Sequence, residues 1–137
     1  IGKNESNTKY VNRSTGEELL PEKVDGYNFG DTYTTVEREI ENYELVDHEG
    51  SPTGKVTKER TEVIYYYEKR TGTITIKYLD EVDLHELSPT ITETKEYGDD
   101  YTSFEKEFSG YEISRIEGSP NGTVDGDKIV IYYYKKK

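Results

Sequence analysis

The chain has 137 residues and carries 18 Lys and Arg against 29 Asp and Glu, a formal charge of −11 at pH 7. Sixteen Thr, fourteen Tyr, six Leu and no Ala, Met, Trp or Cys suit pleated strands and exclude an all-α fold; the missing Cys also excludes disulfides, thiolate metal sites and a cysteine nucleophile. The charge is divided evenly, −6 over residues 1–69 and −5 over 70–137, which excludes nucleic acid and anionic membranes as partners, because binding them depends on Lys and Arg displacing counterions.

A mean hydropathy of −0.99 approaches that of disordered chains. The hydrophobic residues nevertheless fall in alternating clusters, which predicts a folded chain with a thin core. No apolar run reaches the roughly 18 to 20 residues that span a bilayer. With neither a start Met nor a signal peptide, the sequence is expected to be part of a larger protein.

In chain order, the polar stretch Lys3 to Thr8 predicts an opening strand that is short or frayed. Tyr10, Leu19, Pro21, Gly30-Asp31, Tyr33-Thr34, Tyr43-Glu44 and Glu49-Gly50-Ser51-Pro52 follow as landmarks, and Val63 to Tyr67 reads as a closing strand. Five residues, Glu68 to Gly72, then lead to Thr73-Ile74-Thr75-Ile76-Lys77-Tyr78, whose period of two places Ile74, Ile76 and Tyr78 on one face. Asp80 to Asp83 reads as a turn and Pro89 to Tyr97 as an extended Thr-rich run. Tyr101, Phe104 and Phe108, at i, i+3 and i+7, predict a turn or two of imperfect helix. Gly110 to Ile116 is extended, Gly118 to Gly122 is a turn, and Ile129 to Tyr134 is the last strand.

The landmarks repeat. Tyr10 matches Tyr78, Gly30-Asp31 matches Gly98-Asp99, Tyr43-Glu44 matches Tyr111-Glu112, and Glu49-Gly50-Ser51-Pro52 matches Glu117-Gly118-Ser119-Pro120, all 68 residues apart. One residue is then lost, and the Val-Ile-Tyr-Tyr-Tyr strands match at 67. The repeat predicts two tandem domains, 1–69 and 70–137, each near the size at which only about 60% of the chain surface can be buried. So short a connector predicts an elongated rod.

Candidate chemistry is sparse. His48 and His85 occupy unrelated repeat positions, aligned with Ile116 and Glu17, and neither has a metal-ligand spacing. Asp80 and Asp83 are the candidates for a hard cation, but copy one has Asn12-Arg13-Ser14 at that place. No catalytic or cofactor motif occurs, so neither enzyme activity nor a cofactor is expected. Tyrosine is the informative excess: three in a row on each closing strand must alternate faces, which predicts either a thin sheet partly buried on both faces with its hydroxyls reaching water, or Tyr66 or Tyr133 exposed as a flat platform that stacks on a sugar ring or a peptide. Tyr33 and Tyr101 are expected to be structural anchors.

The order T-I-T-I-K-Y-L-D-E, P, G-D-D-Y-T, S-G-Y-E-I, G-S-P-N-G-T and I-V-I-Y-Y-Y-K resembles the MucBP (mucin-binding protein) repeat of Gram-positive bacterial surface adhesins. The likeness runs from Thr8 to Lys136 as two copies; Ser109 stands where the pattern has Pro, and Asn42-Tyr43 lacks the pattern's Gly. It implies a mainly β fold, α+β at most, of two β-grasp-like, ubiquitin-related domains with the helix reduced. It further implies a monomeric, non-enzymatic module displayed outside the cell on a cell-wall-anchored protein and adhering to host mucin or its glycans. The other role that fits such repeats is a structural spacer that projects a different binding domain.

Overall fold

The computed structural model describes residues 2–137, and the chain divides after Lys69 into two compact units. The first contains β1 (Lys3–Asn12), β2 (Glu18–Asn28), β3 (Thr32–Thr34), β4 (Tyr43–Glu49), β5 (Thr53–Lys55) and β6 (Thr61–Lys69). The second repeats them as β7 (Thr71–Asp80), β8 (Glu86–Glu96), β9 (Asp100–Thr102), β10 (Tyr111–Glu117), β11 (Asn121–Thr123) and β12 (Lys128–Lys136). Each unit has a four-stranded sheet, ordered β2-β1-β6-β4 or β8-β7-β12-β10, and a two-stranded ribbon, β3-β5 or β9-β11. First and last strands lie parallel at the centre, while the outer pairs are antiparallel.

A parallel pair needs a crossover connection, which is ordinarily a helix. Here no helix forms among the described residues; residues 35–42 and 103–110 cross as irregular chain. The helical turn expected over Tyr101 to Phe108 is thus replaced: Tyr101 sits in β9 and is buried, Phe104 is 74% exposed, and Phe108 packs on the core. The reason lies in the sheet beneath. Tyr78 Oη donates to the Phe104 carbonyl at 2.6 Å, and Tyr134 Oη donates to the Lys106 carbonyl at 2.6 Å while accepting the Lys106 N–H at 3.1 Å. Ser103 Oγ lies 2.6 Å from Tyr132 Oη and donates to the Pro120 carbonyl at 2.7 Å. Main-chain groups that a helix would pair internally are therefore paired with phenols, as buried polar groups require.

Unit one builds the same lattice. Tyr10 Oη donates to the Val36 carbonyl at 2.6 Å, Tyr67 Oη to the Arg38 carbonyl at 2.5 Å, and Thr35 Oγ1 lies 2.6 Å from Tyr65 Oη. Tyr33 and Tyr101 are buried and donate to the Ser51 and Ser119 carbonyls, the anchoring expected of them. Beneath the hydroxyls the rings stack: Tyr10 on Tyr65 at 5.7 Å and Tyr78 on Tyr132 at 5.3 Å between centroids. Val63 and Val130 complete the two separate cores. Asn42, which stands where Gly110 does in unit two, takes the same left-handed backbone, φ 69° against 80°, a conformation that Asn tolerates better than other side chains.

The opening strand of unit one is not frayed. At ten residues β1 equals β7, because it is paired on both sides, with β2 and with β6. Its polar side chains are small enough to enter the interior: Ser6 and Thr8 are buried, and buried Asn7 donates Nδ2–H to Glu22 at 3.0 Å.

Two outcomes follow. Tyr78→Phe keeps the stacked ring but strips the Phe104 carbonyl of its donor and should cost about 1–2 kcal/mol by urea unfolding, whereas Tyr66→Phe should stay within about 0.5 kcal/mol. Burial raises Tyr10, Tyr67, Tyr78 and Tyr134 above their ordinary pKa of 10.0 by disfavouring the phenolate. The unfolded chain then releases protons that the folded chain keeps, so stability is full below the unfolded value and is lost as pH rises through the folded ones. Urea stability should be flat up to about pH 9 and fall above about pH 10, with the phenolate absorbance of these residues appearing together with unfolding.

Candidate functional site

Alternation along β6 and β12 sends Tyr65, Tyr67, Tyr132 and Tyr134 into the cores and turns Tyr66 and Tyr133 to the opposite face. Tyr66 is half-buried there, beside Val11 of β1. Tyr133 is 7% exposed, flanked by Leu79 of β7 and covered by Arg115, whose guanidinium carbon lies 3.8 Å from the ring centroid. Tyr133 is therefore no open platform: a cation already occupies its face, and this residue follows the reading of a sheet buried on both faces rather than that of an exposed ring.

The residue directly opposite each ring on the antiparallel neighbour differs in charge between the units. Asp47 of β4 stands opposite Tyr66 where Arg115 of β10 stands opposite Tyr133, and the two positions are 68 apart. The Arg115 guanidinium also lies 3.8 Å from Glu117, and Glu49 holds the corresponding place in unit one. Both pairings follow a register shift, between Leu45 and Asp47 and between Ile113 and Arg115. An unbroken ladder would put Val46 and Ser114 opposite the tyrosines, so period-two reasoning missed the residues that matter. Only the extra residue of the bulge moves Asp47 and Arg115 into place.

Asp80 and Asp83 do come together, and His85 joins them: one ligand atom from each lies within 4.8 Å of the others. Each has an internal role, however. Asp80 is 4% exposed, and its Oδ1 accepts the Val82 N–H at 2.8 Å. Asp83 accepts the His85 N–H at 3.0 Å and lies 2.5 Å from His85 Nδ1, and those bonds hold its carboxyl below the usual range. In unit one neutral Asn12 does the work of Asp80, with Oδ1 accepting the Ser14 N–H at 2.9 Å. A turn that forms as well around an amide as around a carboxylate is built for backbone pairing. His48 is exposed on β4 and lies near the Tyr65 ring.

Comparison with known proteins follows the same two-unit division. The MucBP domain matches residues 7–68 and again residues 73–135. Internalin J of Listeria monocytogenes serovar 1/2a is 33% identical over 127 residues, which are 89% of this chain and 15% of internalin J. Internalin J of serotype 4b is 31% identical over 127 residues, 89% of this chain and 14% of its own. This chain thus spans a small fraction of the relatives it matches. Among solved structures, Mub-RV aligns with 98% of this chain and 99% of its own at 16% identity and a TM-score of 0.40. The type 2 repeat of the mucus binding protein MUB from Lactobacillus reuteri aligns over 98% and 100% at 11% identity and 0.34.

The turn reading sets an expectation for Asp80. Asp80→Asn should leave urea stability within about 0.5 kcal/mol, because the amide oxygen still accepts the Val82 N–H, while Asp80→Ala should cost about 1 kcal/mol. Calcium should leave the melting temperature of the parent chain unchanged.

Proposed function

Because this chain belongs to the MucBP domain family, we propose that its two units form a non-enzymatic adhesion module, displayed outside the cell on a larger cell-wall-anchored protein, that makes weak contacts with host mucin. The observation that carries this reading is the family match over both units, residues 7–68 and 73–135. Tyr66 is its contact residue. Amphipathic aromatics that keep one face open supply contact area at little cost in conformational entropy.

Charge limits the affinity. Mucins are commonly anionic, and a chain at −11 gains nothing from long-range attraction to them; within a Debye length of about 8 Å at physiological salt it is repelled. Useful adhesion then depends on avidity over many repeats. In unit two the corresponding ring is filled by Arg115, which favours a spacer role for that unit beside a binding role for unit one.

Retention of the two-unit chain on immobilised mucin, compared with Tyr66→Ala of verified fold, tests this. Weak retention that the variant reduces at least severalfold supports adhesion through unit one. No retention assigns both units to the spacer role, and nanomolar affinity for a single monovalent glycan overturns the weak-contact reading.

A further inference from the structure

The two units pose a question that neither poses alone: what belongs on the face of Tyr66? In unit two the equivalent ring is covered by the Arg115 guanidinium, 3.8 Å above its centroid, and the guanidinium is shared with Glu117 at 3.8 Å. Aromatic face and carboxylate together form a receptor for a planar cation, the face through its negative quadrupole and the carboxylate through charge. Unit one keeps the receptor. Tyr66 stands for Tyr133 and Glu49 for Glu117, and both lie on the same strands in the same register.

What unit one lacks is the cation. Arg115 is replaced by Asp47, directly opposite Tyr66, exposed, with its Oδ1 accepting the N–H of His48. Among the described residues no Lys or Arg lies over the Tyr66 ring. The nearby Lys9 is engaged with Glu62 at 3.7 Å. A half-buried ring thus has one carboxylate, Asp47, directly opposite and a second, Glu49, opposite Ile64 on the diagonal, spacings of about 5 Å and about 7 to 8 Å that one long side chain reaches.

The geometry points to Tyr66, Asp47 and Glu49 as a docking site for a guanidinium or ammonium side chain of a partner polypeptide. This deepens the adhesion reading by naming the chemistry at Tyr66, and it rests on that reading for its biological role only. The same carboxylates disfavour an anionic sugar on the ring, so the group recognised on a host glycoprotein is a basic residue of its polypeptide. Unit one's charge of −6 adds steering that falls with salt.

The test exchanges the two residues that stand opposite the rings, Asp47 and Arg115. Amide and tyrosine-ring NMR shifts of the intact chain are followed while acetylated hexa-arginine amide is added, with a hexa-glutamine peptide and a neutral trisaccharide as separate probes. The arginine peptide is expected to shift Tyr66, Asp47 and Glu49 first, with an effect that weakens several-fold when salt is raised. Asp47→Arg supplies an internal occupant and should abolish the shift at Tyr66. Arg115→Asp uncovers the second ring and should create a new peptide-dependent shift at Tyr133. Unchanged amide dispersion verifies the fold of both variants. The proposal is overturned if the peptide perturbs acidic surfaces throughout without favouring Tyr66, if Asp47→Arg binds as well as the parent, or if the trisaccharide shifts Tyr66 as strongly as the arginine peptide. Loss of the peptide response with mucin retention intact would sink the cation site and leave adhesion standing; the reverse would sink mucin as the partner and leave the site.

Discussion

Everything in each unit depends on satisfying a crossover that has no helical hydrogen bonds, only a closing turn in which the Tyr43 and Tyr111 N–H groups donate to the Ile40 and Phe108 carbonyls. Placing the first and last strands side by side and parallel obliges the chain to travel back across the sheet, and a segment without Ala, rich in Glu and broken by Asn42 or Gly110, makes that journey unwound. Its main-chain groups must still find partners. Phenols standing upright from the central strands provide them, with rings forming the core and hydroxyls forming its roof. Tyrosine is one of the few side chains able to do both at once, because it is long enough to cross an apolar layer and ends in a donor. A protein whose apolar stock is so small gains a core and a hydrogen-bond lattice from the same residues.

Much of this was legible in the sequence and some was not. The 68-residue offset gave both units, and period two along Thr73 to Tyr78 placed Ile74, Ile76 and Tyr78 in the core, where they lie. Two expectations failed for a common reason. Polar Lys3 to Thr8 looked unfit for a central strand, and Tyr101, Phe104 and Phe108 looked fit for a helix, yet both segments take their conformation from the strands and hydroxyls they meet rather than from their own preference. Propensity is local, while the parallel pairing of β1 with β6 joins residues more than fifty positions apart.

The outer face was the least legible. Alternation identified Tyr66 and Tyr133 as residues turned away from the core, and it was right about direction. It was silent about cover, because the residue opposite each ring depends on a bulge that shifts the ladder by one position. Sequence comparison of the copies contains the Asp47 and Arg115 exchange, but nothing in it says that those positions face the tyrosines.

The tyrosine hydroxyls bind the crossover through carbonyls, those of Val36 and Arg38 in one unit and of Phe104 and Lys106 in the other. A carbonyl is the same in every residue. Thr35 and Ser103, whose hydroxyls meet Tyr65 and Tyr132, and Ile40 and Phe108, which pack on the cores, are tied to the frame by their side chains, but Val36 and Phe104 are held by carbonyls alone and point into solvent, at 53% and 74% exposure. At that position the crossover behaves as an interchangeable label on a fixed clasp: successive copies in a tandem array can present different chemistry there while folding by one set of bonds.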